Sequence, residues 1–128
     1  MTDFKIVQCE KNGISIIELK GFLDAHTAPE LEDTFQKLIK NKKYKIIVNF
    51  RDLSYISSAG LGVFMAFIEE VRKNEGDIKL TNMTPKVFNV FDLLGFPILY
   101  EIYGNEEDAI AKFLKDGENK DSMTQEIE

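Results

Sequence analysis

The sequence has few of the residues that build metal sites and disulfides. Among its 128 residues there is one cysteine, Cys9, and one histidine, His26. A lone cysteine forms neither an internal disulfide nor a thiolate metal cluster. A single histidine excludes a multi-histidine metal site, and any Ser-His-Asp triad would have to use His26. We therefore predict a protein that needs no metal and no other cofactor.

Long apolar runs are also missing. The longest ones, residues 46–48 and 61–68, fall short of the roughly 20 residues that cross a bilayer. Residues 1–5 lack the shape of a signal peptide. We therefore predict a cytoplasmic protein that does not insert into a membrane.

No stripe of lysine and arginine is present, and the net charge is -6. An acidic surface repels phosphate backbones, so we predict no direct binding to nucleic acid. The composition, 44% hydrophobic and 30% charged, is typical of a globular protein. The length is sufficient for one compact domain.

Strand-like and helix-like segments alternate along the chain. An Asn12-Gly13 pair between two apolar runs predicts a β-hairpin at the start. The other segments follow from apolar periodicity and from glycine and proline signals. The predicted strands cover residues 4–9, 14–20, 46–50, 78–80 and 98–103, a loop covers residues 51–58, and helices begin after Thr27, near Ala59, at Thr84 and at Glu106.

The first helix is predicted to begin with a capping box. Thr27 and Glu30 have the required spacing, so that the Thr27 hydroxyl and the Glu30 side chain would each satisfy an amide of the first turn. The last helix is expected over residues 106–114. Residues 116–128 are polar and lack periodicity, so we predict a domain over residues 1–115 and a disordered tail over residues 116–128.

The resulting order of elements is ββαβαβαβα, with about four helices. Strands that alternate with helices need right-handed crossovers, which place the helices against a mainly parallel sheet. The N-terminal hairpin makes this sheet a mixed one. The predicted fold class is therefore α/β.

Residues 57–62 place two hydroxyls and two glycines at the start of the second predicted helix. Serines are common at this position because their side chains satisfy free amides. Gly60 and Gly62 reduce helix propensity, which is easier to understand if another group approaches the backbone closely. From these residues alone an ordinary helix cap is favoured. A Walker-type phosphate loop and a Gly-x-Ser-x-Gly elbow are both absent.

Three segments together resemble the STAS domain of anti-sigma factor antagonists. Residues 49–62, which read Asn-Phe-Arg-Asp-Leu-Ser-Tyr-Ile-Ser-Ser-Ala-Gly-Leu-Gly, are similar to the signature of this family. Residues 21–28 resemble the loop before its first helix, and residues 85–95 resemble its third helix. The resemblance covers residues 4–115 and implies the STAS fold.

The resemblance also implies a phosphorylation site and a docking surface. Ser58 matches the serine that a partner kinase phosphorylates, and Ser57, where the family usually has Asp, is a rival acceptor. Asp24 matches a common family Asp, with a turn-stabilising role as the alternative. Val63 and Phe67 would extend the surface unless they pack in the core. The implied partner-binding residues are Asp24, Thr27, Ser57, Ser58, Gly60, Leu61 and Gly62.

In this family the unphosphorylated antagonist binds an anti-sigma factor, often a serine kinase, and frees the sigma factor. The kinase phosphorylates the antagonist, which ends the binding, and a phosphoserine phosphatase restores it. The resemblance therefore implies a binding switch and not an enzyme, with such a kinase and phosphatase as partners. The alternative is a STAS scaffold subunit of a signalling or transporter-associated complex that is never phosphorylated.

Two further functions have less support. Candidate acids and bases for an enzyme are present, but no spacing places them as nucleophile, base and orienting group. A nucleotide-binding STAS module would be expected to have a phosphate loop, which is absent. The candidate acids and bases are Asp24, Asp52, Asp92 and His26.

Overall fold

A five-stranded mixed sheet organises the chain in the computed structural model, which describes residues 4–127 and the side chains of residues 4–117. The strands are β1 (Lys5–Lys11), β2 (Ile14–Leu23), β3 (Lys45–Ile56), β4 (Asp77–Thr81) and β5 (Ile102–Tyr103). The helices of this part of the chain are α1 (Ala28–Lys40), α2 (Ser58–Lys73), α3 (Pro85–Leu93), α4 (Phe96–Leu99) and α5 (Glu106–Ile127). Their order is ββαβαβααβα.

The strands lie side by side in chain order. β1 and β2 form an antiparallel hairpin, and each later strand pairs in parallel with the one before it. The hairpin turns at Asn12 and Gly13, whose φ angles are 55° and 78°. Positive φ at both central residues is what a type I′ turn requires, and Asn-Gly adopts it readily. The predicted α/β class, the mixed sheet and the N-terminal hairpin are confirmed.

Alternating side chains of β2 and β3 divide the apolar residues between the two sides of the sheet. On one side, helices α1–α4 cover the main core, whose centre is a set of packed aromatic rings: Phe35, Phe50, Phe64, Phe91 and Tyr100. On the other side, α5 packs mainly on β3, β4 and β5 over a smaller cluster. We call these the core side and the α5 side of the sheet.

The segment before β5 differs from the prediction. The sequence predicts a strand over residues 98–103, but residues 96–99 form the short helix α4 and the strand is limited to Ile102–Tyr103. Gly95, with a φ of 76°, turns the chain into this helix. Phe96 then stacks on the ring of Tyr100, with 5.6 Å between the ring centroids. Burial of these two rings holds a helical turn where apolar periodicity predicts a strand.

The predicted loop over residues 51–58 is also wrong. β3 continues to Ile56 and pairs with the end of β2, from Lys20↔Asp52 to Leu23↔Ile56. One register shift comes just before this stretch, between Glu18 and Lys20, and a second lies within it, between Gly21 and Phe22. Such irregularities let a strand bend and twist while it stays in the sheet. β3 is therefore long enough to carry the chain directly into α2, which begins one residue earlier than predicted.

Helix α5 is longer than predicted, because it spans Glu106–Ile127 and not residues 106–114. The side chains after Gly117 lie outside the described residues. The division into a domain over residues 1–115 and a tail over residues 116–128 therefore stays a prediction. Within residues 4–127, no helix is long and apolar enough to cross a membrane.

A buried lysine on β4 contacts the start of its own strand, the segment before β5 and helix α5. Lys79 is 1% exposed, and its Nζ lies 3.0 Å from Asp77 Oδ2 and 2.9 Å from Glu101 Oε1. The same Nζ lies 4.5 Å from the ring centroid of Phe113 on α5. Tyr103 donates a hydrogen bond to Glu101. Burial raises the pKa of Glu101, but the hydrogen bonds from Tyr103 and Lys79, together with the positive charges of Lys79 and Lys112, outweigh it, so the pKa lies below its usual value.

This arrangement predicts an acid-dependent contribution to stability. A carboxyl group whose pKa is lower in the folded state stabilises the fold above its unfolded pKa of about 4.3, and this stability is lost as the pH falls through the folded value. We therefore expect the free energy of unfolding to decrease below about pH 4.5. Lys79→Met should make this decrease shallower, because Glu101 then loses its cation. Urea unfolding of both chains across this range tests the prediction, and parallel curves would contradict it.

Candidate functional site

The start of α2 is capped by Ser57. This residue has an extended backbone (φ -102°, ψ 172°), and its Oγ accepts a hydrogen bond of 3.5 Å from the Gly60 amide. Its own amide donates to the carbonyl oxygen of Leu23, at 2.9 Å. The Ser57 side chain therefore fixes the start of α2 as a helix cap, and the Ser57 backbone ties that start to the end of β2.

Ser58 is the first residue of α2, and it is exposed. Among the described residues, its hydroxyl has no hydrogen-bond partner. The first amides of a helix point towards this position and favour a negative charge by about 0.3–1 kcal/mol at an exposed site. The two neighbouring serines thus differ: one hydroxyl is used by the fold, and the other is free.

The two glycines of α2 have different surroundings. A Cβ on Gly60 would lie 2.7 Å from Leu23 Cγ and 3.2 Å from Ile56 Cγ1, so the space beside Gly60 is filled by the chain's own core. The expectation that an outside group approaches the backbone here is therefore wrong for Gly60, which is buried. Gly62 is exposed, and a Cβ there would meet no atom within 4 Å.

The loop between β2 and α1 is held by Asp24. The Oδ1 atom accepts hydrogen bonds from the amides of His26, at 2.9 Å, and Thr27, at 3.2 Å. The carbonyl oxygen of Asp24 accepts another from the Ala28 amide, at 2.8 Å. These are the contacts of a turn-stabilising aspartate, which confirms that interpretation. A contact between Asp24 and a partner stays a prediction.

The predicted capping box of α1 is wrong. Thr27 has a helical backbone (φ -100°, ψ -15°) and makes no side-chain cap hydrogen bond. Its Oγ1 accepts from the Asp24 amide, at 3.0 Å, and donates to the Phe22 carbonyl oxygen, at 2.8 Å. Since the hydroxyl is already engaged by the loop, it is not free to cap the helix, and Glu30 is exposed. Thr27 instead fastens the loop to the end of β2.

The parallel pairing of β2 and β3 brings these segments to one edge of the sheet. Leu23 and Ile56 are register partners, so the 24–27 loop and Ser57 lie next to each other. We call this the switch edge. Five of the predicted partner-binding residues reach its surface: Asp24, Thr27, Ser57, Ser58 and Gly62. The other two, Gly60 and Leu61, lie beneath it and are buried.

The predicted extension of this surface along α2 is not seen. Val63 is 7% exposed and belongs to the main core. Phe67 is half-buried, and its ring packs on that of Phe35, with 5.5 Å between the centroids. Both side chains therefore have the core-packing role. Phe22 and Tyr55, two exposed rings beside the switch edge, were not predicted, although strand alternation with the buried Leu23 and Ile56 could have indicated them.

Asp24 and His26, two of the candidate acids and bases, are not joined as a catalytic pair. The Asp24 carboxylate is held by backbone amides, and its contact with His26 is to the amide and not to the imidazole. Within the described part of the chain, no three side chains of His, Cys, Asp or Glu lie together as metal ligands.

Comparisons with known proteins identify the family of this chain. The STAS domain family matches residues 5–109. The anti-sigma-B factor antagonist of Bacillus subtilis is 28% identical over 104 residues, which cover 81% of this chain and 94% of that protein. The anti-sigma-B factor antagonist of Staphylococcus aureus is 26% identical over 86 residues, covering 67% and 80% of the two chains.

Solved structures share the fold. The anti-sigma factor antagonist SpoIIAA in its unphosphorylated form superposes with a TM-score of 0.67 at 26% identity, over 87% of this chain and 97% of that one. An antagonist from Mycobacterium paratuberculosis has a TM-score of 0.79 over 86% and 93% of the chains, and at 20% identity it shows the fold alone. The antagonists of this family are regulators and not enzymes, as the sequence predicts. The match of the STAS domain over residues 5–109, which is most of the sequence, shows that this chain belongs to the STAS domain family.

Proposed function

We propose that this chain is an anti-sigma factor antagonist, that its unphosphorylated form binds an anti-sigma factor of the serine kinase type, and that phosphorylation of Ser58 ends this binding. The contrast between the two serines carries the proposal. The Ser57 hydroxyl caps α2, whereas the Ser58 hydroxyl is exposed and unbonded among the described residues. A kinase needs an accessible, free hydroxyl, and Ser58 offers one. Likeness to proteins named anti-sigma factor antagonists supports the same function.

Ser57 stands where the family usually has Asp, and this difference leaves the local structure intact. Asp and Ser are both among the preferred N-cap residues. The Ser57 Oγ accepts the hydrogen bond from Gly60 that an Asp carboxylate would accept at the same place. Ser57 therefore keeps the capping role, which supports Ser58 and not Ser57 as the phosphate acceptor.

A phosphate on Ser58 would act on the interface and leave the fold unchanged. It adds a charge of about -1.5 to -2 at pH 7 and three acceptor oxygens. The start of a helix tolerates such a charge, so α2 stays intact. In a close interface, however, the phosphate must be desolvated and meets any acidic or apolar group of the partner. Removal of the phosphate by a phosphoserine phosphatase would restore binding.

The first test is capture of the partner and mapping of the modified residue. The wild-type chain serves as bait in a lysate of its own organism, and a kinase that binds is identified by mass spectrometry and then produced alone. After incubation with this kinase and ATP, we expect phosphate on Ser58 and none on Ser57. Phosphate on Ser57 would keep the mechanism but show that Ser57, and not Ser58, is the acceptor. If no phosphate is found on the chain and a stable assembly without a kinase is captured from the lysate, the scaffold alternative is favoured.

The second test measures binding to the same purified kinase. We expect phosphorylation of Ser58 to weaken binding roughly a hundredfold, which corresponds to about 2.8 kcal/mol, and Ser58→Glu to act in the same direction. Ser57→Ala separates the cap from the phosphate: it should lower the free energy of unfolding by about 0.5–2 kcal/mol because it removes the cap, while phosphorylation of Ser58 in this variant should still weaken binding. Calorimetry and urea unfolding give these values. A phosphorylated chain that binds as tightly as the unmodified one would contradict the proposal.

A further inference from the structure

Two exposed aromatic rings lie side by side next to the switch edge. Phe22 on β2 is 38% exposed and Tyr55 on β3 is 43% exposed. They are register partners, and their ring centroids lie 5.6 Å apart. Their neighbours Leu23 and Ile56 point into the core, so strand alternation directs both rings to the α5 side. Each residue therefore keeps a substantial part of a large apolar ring in contact with solvent, where burial against another molecule would be favourable.

The pair is joined to the switch edge through the backbone. Thr27 Oγ1 donates to the carbonyl oxygen of Phe22, at 2.8 Å, and the Ser57 amide donates to that of Leu23, at 2.9 Å. Tyr55 precedes Ser58 by only three residues. The two rings therefore continue the surface that carries the free hydroxyl, and they extend it around the end of β2 and β3.

The switch edge itself offers little apolar surface. In the first turn of α2 the exposed neighbours of Ser58 are Ala59 and Gly62, which have a methyl group and no side chain, and the next large apolar side chain to reach the surface along the helix is Met65, which is 46% exposed. Stable recognition usually depends on a few buried aromatic or arginine anchors within a ring of weaker polar contacts. The aromatic pair is the surface next to the hydroxyl that has this composition, and the exposed Arg51, Asp52 and Ser54 on β3 provide polar neighbours.

We propose that Phe22 and Tyr55 form an aromatic anchor that inserts into an apolar pocket of the kinase-type anti-sigma factor while Ser58 faces its catalytic site. This inference rests on the proposed function and adds to it a second, separate contact. The anchor supplies affinity in both states of the chain, and the phosphate on Ser58 opposes it. Loss of the anchor therefore weakens binding of the unphosphorylated chain without changing the ratio between the two states.

The test uses the full chain and the purified kinase that it captures. Phe22→Ala and Tyr55→Ala are each expected to weaken binding at least about tenfold, and Tyr55→Phe should keep the affinity of the wild type. The matched control is Leu99→Ala. Leu99, the last residue of α4, is 42% exposed and lies beside the C-terminal end of α2, where Arg72 donates to its carbonyl oxygen. This control should leave the dissociation constant unchanged.

Three outcomes are informative. If Ser58→Glu weakens binding but Phe22→Ala and Tyr55→Ala bind like the wild type, the anchor is overturned and the proposed function stands. The anchor is supported if Phe22→Ala and Tyr55→Ala weaken binding, if urea unfolding shows both variants to be fully folded under the assay conditions, and if Leu99→Ala binds like the wild type. If the wild-type chain binds no serine kinase, the proposed function fails and the anchor fails with it.

Discussion

Replacement of Phe64 by alanine is expected to lower the free energy of unfolding by about 3–5 kcal/mol. Phe64 lies on α2, is fully buried, and contacts four other rings of the main core. Its removal leaves a cavity that rigid aromatic neighbours fill poorly, so the lost transfer energy and the cavity both contribute. Because domains of this kind have a total stability of about 5–15 kcal/mol, the loss is a large share of it.

The matched control for this prediction is Phe67→Ala, one turn further along α2. Phe67 is half-buried and packs on Phe35 at the edge of the core. Its ring is already partly hydrated, so the loss should be clearly smaller than for Phe64. Urea unfolding monitored by circular dichroism gives both values. Equal losses for the two variants would contradict the central position that the structure gives to Phe64.

Gly60→Ala is expected to destabilise the fold by about 1–3 kcal/mol, although alanine favours helices. The new methyl group would lie 2.7 Å from Leu23 Cγ, which belongs to a buried side chain on a central strand. Leu23 must then move, and its backbone carbonyl also holds the Ser57 amide. The variant should therefore disturb the start of α2 and slow phosphorylation of Ser58 as well.

Gly62→Ala, two residues later, is expected to have the opposite sign. Nothing lies within 4 Å of the added methyl group, and the residue is exposed. The gain should be about 0.8–1 kcal/mol from helix propensity alone. Thermal or urea unfolding of the two variants beside the wild type tests both predictions. Stabilisation by Gly60→Ala would show that the packing against Leu23 is looser than the structure indicates.

Much of the fold could be predicted because its signals are local. The Asn12-Gly13 turn, the Pro85 helix start and the apolar stripes follow from side-chain chemistry and spacing. The extension of β3 to Ile56 could not be predicted, since it depends on pairing with β2 across two register shifts. The same holds for α4, where the stacking of Phe96 on Tyr100 overrides a strand-like pattern.

The candidate site shows the same division. Sequence reasoning located the two serines at a helix start, but it could not decide which hydroxyl is used as the cap. That choice depends on the extended backbone of Ser57, which the end of β2 fixes through the Leu23 carbonyl. The capping box failed for a similar reason, since the Thr27 hydroxyl finds nearer partners in Asp24 and Phe22. The sequence therefore predicted which residues lie at this site, but which hydroxyl each hydrogen bond uses depends on tertiary contacts.

If the chain exchanges partners as proposed, the hydrogen bonds of the 24–27 loop affect how fast it does so. Asp24 and Thr27 together hold the loop against β2, and Ser57 joins α2 to the same strand. A surface that is preorganised in this way loses little conformational entropy on association, and no slow rearrangement has to precede contact. The rate of partner exchange would then be set by the addition and removal of phosphate and by dissociation of the complex. The chain itself would already have the conformation that binds.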